Sequence, residues 1–346
     1  MLSVVTFLAK MNAMVLDHIA TIESTPLILR QVPIPIPRSR QVQIQISASG
    51  ICHTELDEIE GRLPPSKLPI ILGHEIIGRV TQLGENVNTF KEGDRVGVTW
   101  LYQACGQCSF CRKGTENLCA QAQWTGKDVN GGYAEYTVAP AGYVFPIPHT
   151  FTDVEAAPLM CAGVIGYRAL RLTQMQDHHI LGLYGFGASA HIVIQLTRRI
   201  YPHSAIYVFT RSPAHRQLAQ ELGAAWAGSA FDSPPHPIHA AIDFTPSGQI
   251  VREALRVLEK GGRLVINAIR KIDAIPELNY AQHLWLEKEV KSVANVTKQD
   301  VIEFLPLAAQ IPIRPRTTIF QLAEANRALL HLKQRKIQGA AVFQFS

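Results

Sequence analysis

Ile180-Leu181-Gly182-Leu183-Tyr184-Gly185-Phe186-Gly187-Ala188-Ser189-Ala190 joins an apolar run, a turn with two glycines and the opening of a helical stretch. The run reads as a buried strand, and the turn after it matches Gly-x-Gly-x-x-Gly/Ala in the strand-turn-helix setting that gives this pattern its meaning. Two glycines permit a tight turn, and the backbone amides at the helix start then face an anion such as a pyrophosphate. Gly185, Phe186, Gly187, Ala188 and Ser189 are therefore expected to bind a dinucleotide. About 20 residues further on, where a ribose is read, stand Thr210, Arg211 and Ser212. A carboxylate there would bind the 2′-hydroxyl of NAD and repel the 2′-phosphate of NADP. Thr210 with Arg211 beside it favours NADP over NAD.

Outward from this turn the chain alternates apolar strands with helical stretches, the mark of a parallel sheet wrapped by helices. Strands are expected at Ile180 to Tyr184, Ala205 to Phe209, His239 to Phe244 and Arg263 to Asn267, and helices at Ala188 to Arg199, Pro213 to Leu222 and Gln249 to Glu259. The first 150 residues differ. Residues 41 to 46 alternate polar and apolar with the period of a half-buried strand, and Ile76 to Leu83 and Arg95 to Thr99 follow between turn residues. After Val296 come a proline-interrupted stretch, a helix at Gln321 to Lys333 and a short strand Ala340 to Phe345, a segment whose composition suits either part.

The six cysteines fall at 52, 105, 108, 111, 119 and 161 in a chain of 346 residues, so four crowd into one stretch. Disulfide frameworks belong to small secreted chains, and here the cluster points to metal. Cys105, Cys108, Cys111 and Cys119 are spaced so that a turned loop delivers four thiolates to one tetrahedral centre, which suits a closed structural zinc. Cys52 opens Cys52-His53-Thr54-Glu55, and His74 stands in Gly73-His74-Glu75 before an apolar strand. With Cys161 they make three ligands, and a zinc with three protein ligands keeps a position for water or an alcohol.

No run reaches the roughly 20 apolar residues of a membrane span, and Met1 to Ala9 is too short for a signal peptide. A cytoplasmic protein is expected. The formal charge of +5 is scattered, without the basic block that would suggest nucleic acid.

The Gly73-His74-Glu75 and Cys52-His53-Thr54 motifs, the four-cysteine lobe and the Gly185 turn resemble, in order and spacing, the zinc-dependent alcohol dehydrogenases of the medium-chain dehydrogenase/reductase superfamily. The resemblance runs from about Met14 over nearly the whole chain. It implies an α/β protein with a GroES-like β catalytic domain at 1–157 and 298–346, and a Rossmann doubly wound parallel-sheet cofactor domain at 158–297. It implies two zincs per chain, an alcohol or aldehyde substrate and a homodimer or homotetramer, with no nucleic-acid or membrane partner. Residue by residue, it makes Cys52, His74 and Cys161 the catalytic ligands and Glu75 an alternate one. Thr54 becomes the acceptor of the alcohol proton, Glu55 the acid that steadies His74, and His53 a cofactor-phosphate contact. Ile59 and Trp100 become pocket-lining residues. The chain also departs from the pattern, with Asp57 where many members have a relay histidine, Ile165 for a threonine near the nicotinamide, and no arginine in Gln338-Gly339-Ala340. An NADPH-linked aldehyde reductase and a zinc-stabilised nucleotide-binding protein without turnover are the rival readings.

Overall fold

The computed structural model describes residues 9–311 and 313–345, so most of the Met1 to Ala9 run lies outside the described residues. The chain divides into two units, one ending at Cys161 and resuming at Arg316, the other Ala162–Pro315.

In the second unit six parallel strands lie in the order Trp226–Gly228, Ile206–Phe209, Leu181–Tyr184, Ile238–Asp243, Leu258–Ile266, Glu289–Ser292. The chain starts at Leu181–Tyr184, winds outward to one edge, then returns to the centre and winds to the other. That reversal lies between Leu181–Tyr184 and Ile238–Asp243, and in such sheets ligands bind at the carboxyl ends of the strands beside it. Leu181–Tyr184 and Ile206–Phe209 are buried at every position, as expected where helices cover both faces. The helices Ala188–Ile200, Pro213–Glu221 and Gln249–Arg256 fall where the pattern placed them. One boundary moves: the helix expected to reach Glu259 stops at Arg256, because Leu258 already pairs with Ile238.

Residues 298–315, expected with the β-rich part, lie in the second unit instead. The reason is local. Thr297 and Asp300 form a reciprocal cap, with Thr297 N–H donated to Asp300 Oδ2 at 2.8 Å and Asp300 N–H to Thr297 Oγ1 at 3.2 Å. This starts a helix, Lys298–Gln310, that carries Pro306 within it. Arg168 of the helix Ala162–Thr173 then donates to the buried Asp300 at 2.6 Å and ties the new helix to that unit.

In the first unit a sheet of seven strands is built around Gln41–Ile51, which pairs antiparallel with Ile76–Leu83, Tyr136–Pro140 and the C-terminal Ala340–Gln344. The chain's last strand thus closes the unit begun by its first residues, with Ala341 opposite Ile51. The strand read over 41 to 46 continues to Ile51 because its partner strands do, and the alternation ends there, with Ala48 to Ile51 all buried. Val42, Ile44 and Ile46 are buried, each stabilising the fold by about 1.5–3 kcal/mol. Just past Ile51 the chain turns into the short helix His53–Ile59, which carries His53, Thr54, Glu55, Asp57 and Ile59.

Candidate metal centres and dinucleotide turn

Cys52 stands at the N-cap of His53–Ile59, and its backbone N–H is donated to Glu55 Oε2 at 2.9 Å. The other oxygen of the same carboxylate lies 2.6 Å from His74 Nδ1, and both side chains are fully buried. One acid therefore sets the start of the helix bearing Cys52 and fixes the ring of His74, so that Nε2 is the nitrogen left for another partner. His74 follows Gly73, whose φ of +97° suits glycine and whose face abuts Tyr133 so closely that a Cβ would lie 2.4 Å from the ring.

One donor atom from each of Cys52, His74, Glu75 and Cys161 lies within 4.8 Å of the others. His74 Nε2 is buried and has no hydrogen-bond partner among the described residues. Two thiols, an imidazole and a nearby carboxylate are the donors zinc prefers, and the set fits that ion. A hydrogen bond with Cys161 holds the Cys52 thiol well below its usual range, while the same contact and burial hold Cys161 well above. Burial opposes a charged His74, but the Glu55 carboxylate and the Cys52 thiolate together outweigh it and raise the imidazole well above its usual range. Buried anions here demand a positive charge, and a dication that displaces these protons supplies it.

Thr54 is buried, with Oγ1 3.5 Å from Cys52 Sγ. His53 is exposed at the helix start. Trp100 packs against His74, ring centroids 5.9 Å apart, and against Trp124 at 4.9 Å. Ile59, expected to line the pocket, is fully buried in an apolar core cluster that also holds Ile22, Leu56 and Leu72. Asp57 accepts from Arg62 Nε at 2.6 Å, so an ion pair occupies the place of the relay histidine.

Glu58 was not anticipated. It is fully buried, neither carboxyl oxygen has a partner among the described residues, and burial followed by the charge of Glu55 raises its pKa well above the carboxylate range. The hydroxyl of the equally buried Tyr133 is also without one. Helical spacing puts Glu58 on one face with Glu55 and Thr54, three and four residues away, but gives no sign that its carboxyl is buried without a partner.

The thiols of Cys105, Cys108, Cys111 and Cys119 lie within 4.8 Å of one another. Backbone N–H groups of Cys108, Cys111 and Gln121 point at the sulfurs of Cys105, Cys108 and Cys119 at 3.4, 3.5 and 3.4 Å. The amides of Gln107 and Cys108 hold the Cys105 thiol down at about 6, whereas burial pushes Cys111 up to about 12. Four sulfurs held by their own loop fit a closed zinc.

In the second unit the turn follows Leu181–Tyr184 directly. Gly185 has φ of +81°, and Gly187 caps the helix Ala188–Ile200 with nothing within 4 Å of where a Cβ would stand. That open backbone at a helix N-terminus fits an approaching pyrophosphate. Ala188 and Ser189 are half-buried in the helix's first turn and Phe186 is buried. Beyond the next strand Thr210 is pinned from both sides, its N–H donated to Gly228 O at 2.8 Å and its carbonyl accepting from Arg216 Nε at 2.9 Å. Arg211 is exposed, and Ser212 accepts from His215 N–H to cap the helix Pro213–Glu221.

The sequence pattern of the alcohol dehydrogenase GroES-like domain matches residues 38–149. A Mycobacterium tuberculosis protein named "Probable alcohol dehydrogenase AdhA" is 46% identical over 300 residues, 85% of this chain and 86% of its own. An alcohol dehydrogenase of Geobacillus stearothermophilus is 34% identical over 86% of this chain and 89% of its own. Among solved structures, the cobalt- and zinc-bound thermostable alcohol dehydrogenase from Pyrobaculum aerophilum superposes with a TM-score of 0.86 over 97% of this chain and all of its own, at 22% identity, and shares the fold.

Proposed function

Because the chain belongs to the zinc-dependent alcohol dehydrogenases of the medium-chain superfamily, we propose that it catalyses reversible hydride transfer between a primary alcohol and a nicotinamide dinucleotide, giving an aldehyde. The observation that carries this reading is the convergence of Cys52, His74 and Cys161 around an unpartnered His74 Nε2. These three would hold a catalytic zinc, with Glu75 as an alternate ligand, and the four-cysteine lobe a structural one. Bound zinc supplies a Lewis acid that polarises the alcohol or carbonyl oxygen. Thr54 takes the alcohol proton, Glu55 keeps the His74 ring oriented, and Trp100 walls the reacting group. His53 contacts a cofactor phosphate. The Gly185 to Ser189 turn binds the pyrophosphate. Steady-state oxidation of a series of primary alcohols tests the reading; a zinc-loaded chain that binds dinucleotide without turnover would contradict it. A cytoplasmic setting, which keeps six thiols reduced, suits both centres, and no described helix is long and apolar enough to cross a membrane.

NADP is the proposed cofactor. Thr210 leaves no carboxylate to repel a 2′-phosphate, and the pinned loop holds the exposed Arg211 beside a helix N-terminus. A hydrogen bond to a charged group contributes about 1.5–3 kcal/mol, or one to two orders of magnitude in affinity. The parent is expected to show higher kcat/KM with NADP, and Arg211→Ala and Thr210→Asp to move the ratio toward NAD. A parent that prefers NAD, or an unchanged ratio in Arg211→Ala, would show that Arg211 points to solvent, where screening erases its contribution.

An oligomer, dimer or tetramer, is proposed as well. The sheet edge Glu289–Ser292 is exposed at all four positions, and Ile272, Tyr280 and Trp285 of the segment before it in the chain are more than half exposed. An open strand edge and exposed large apolar side chains invite another chain. Sedimentation should show at least a dimer at micromolar concentration; a monomer would refute this assembly.

A further inference from the structure

Away from both cysteine centres, the second unit gathers histidines at one corner. Asp177, His178 and His179 lead into Leu181–Tyr184, His203 leads into Ile206–Phe209, and His239 belongs to Ile238–Asp243. We propose that Asp177, His178 and His203 form a third metal site, for a divalent transition cation such as Zn2+, Ni2+ or Cu2+.

One donor atom from each of the three lies within 4.8 Å of the others. Asp177 Oδ2 is 2.6 Å from His203 Nδ1, and Asp177 Oδ1 accepts the His203 N–H at 3.0 Å, so carboxylate and ring are already placed together. His178 has φ of +68°, unusual for a residue with a Cβ, and its ring stacks on that of His203 with centroids 5.0 Å apart and planes 11° from parallel. Two imidazoles and one carboxylate are donors for borderline divalent ions, with the remaining positions left to water on this exposed face. Behind them His179 and His239 stack at 4.6 Å, their Nδ1 atoms accepting the N–H of Gln176 and Ile180 at 3.2 and 3.0 Å.

The placement defines the role. Leu181 and Ile206 pair in parallel, so Asp177, His178 and His203 stand at the amino ends of neighbouring central strands, while the Gly185 turn follows the carboxyl end. A cation there clasps the two segments leading into the sheet. It stabilises the cofactor unit without touching the reaction.

Calorimetric titration with Ni2+ of enzyme holding zinc at the two cysteine centres alone tests this. One further equivalent is expected beyond the zinc already held, with at least tenfold weaker binding in both His178→Ala and His203→Ala, whose turnover stays at the parent level. Nickel should raise the Tm of the parent and leave that of His203→Ala unchanged. No further equivalent, an affinity unchanged in either variant, or no nickel-dependent rise in the parent Tm overturns the site.

Discussion

Mild chelation is expected to abolish turnover while one zinc per chain stays bound. The two proposed centres differ in what a competing ligand meets. Around Cys105, Cys108, Cys111 and Cys119 a dication would be enclosed by four thiolates whose loop amides already point at the sulfurs. Cys52, His74 and Cys161 leave one position open, through which a chelator can enter. Polarisation by the open-site ion is worth several kcal/mol at the transition state, and each 1.36 kcal/mol is tenfold in rate, so activity should fall by about a thousandfold or more. Added zinc should restore it. Metal analysis at each stage of the titration checks the order of loss, and a fully active chain with a single zinc would end the two-centre reading.

The features legible in the sequence were those carried by local pattern. The turn at Gly185 could be read because its glycines do one job, a positive φ at Gly185 and open backbone at Gly187, in a context that strand and helix periodicity reveal. The ligand spacing of the four-cysteine lobe is equally local. What stayed hidden depends on tertiary placement. Ile59 follows Glu58 on a helix buried from Thr54 onward, and periodicity does not tell a core face from a pocket wall. Glu58 itself reads as an ordinary acidic residue until its surroundings are known. Composition left the segment after Val296 open and the resemblance put it with the β-rich part, whereas residues 298–315 fall in the second unit, where the Thr297–Asp300 cap and the Arg168–Asp300 pair hold their helix. The resemblance already made Glu55 the acid that steadies His74, but its second grip, on the backbone N–H of Cys52, shows only in the fold.

Thr54→Ala is expected to lower kcat for alcohol oxidation by about 10²–10⁴-fold, the usual contribution of a positioned proton-transfer group, with zinc content and dinucleotide affinity intact. The hydroxyl stands 3.5 Å from the sulfur of Cys52, close to where an alcohol must lose its proton, and the residue belongs to a helix whose start is secured by Glu55. Removing the hydroxyl therefore leaves the ligand frame standing. Thr54→Ser keeps it and deletes one buried methyl, a loss of about 0.8 kcal/mol in packing, so its kcat should stay within a few fold of the parent. The contrast separates chemistry from structure: a purely structural role would make both variants fail together, or would appear as lost zinc. Asp57 sharpens the point, because its carboxylate is engaged by Arg62 at 2.6 Å and does not take over the hydroxyl's task. Measuring kcat and KM from acid to alkaline pH for the parent and both variants decides it, and an alanine variant that oxidises alcohol at near-parent rates throughout would mean that the proton leaves by a path without Thr54.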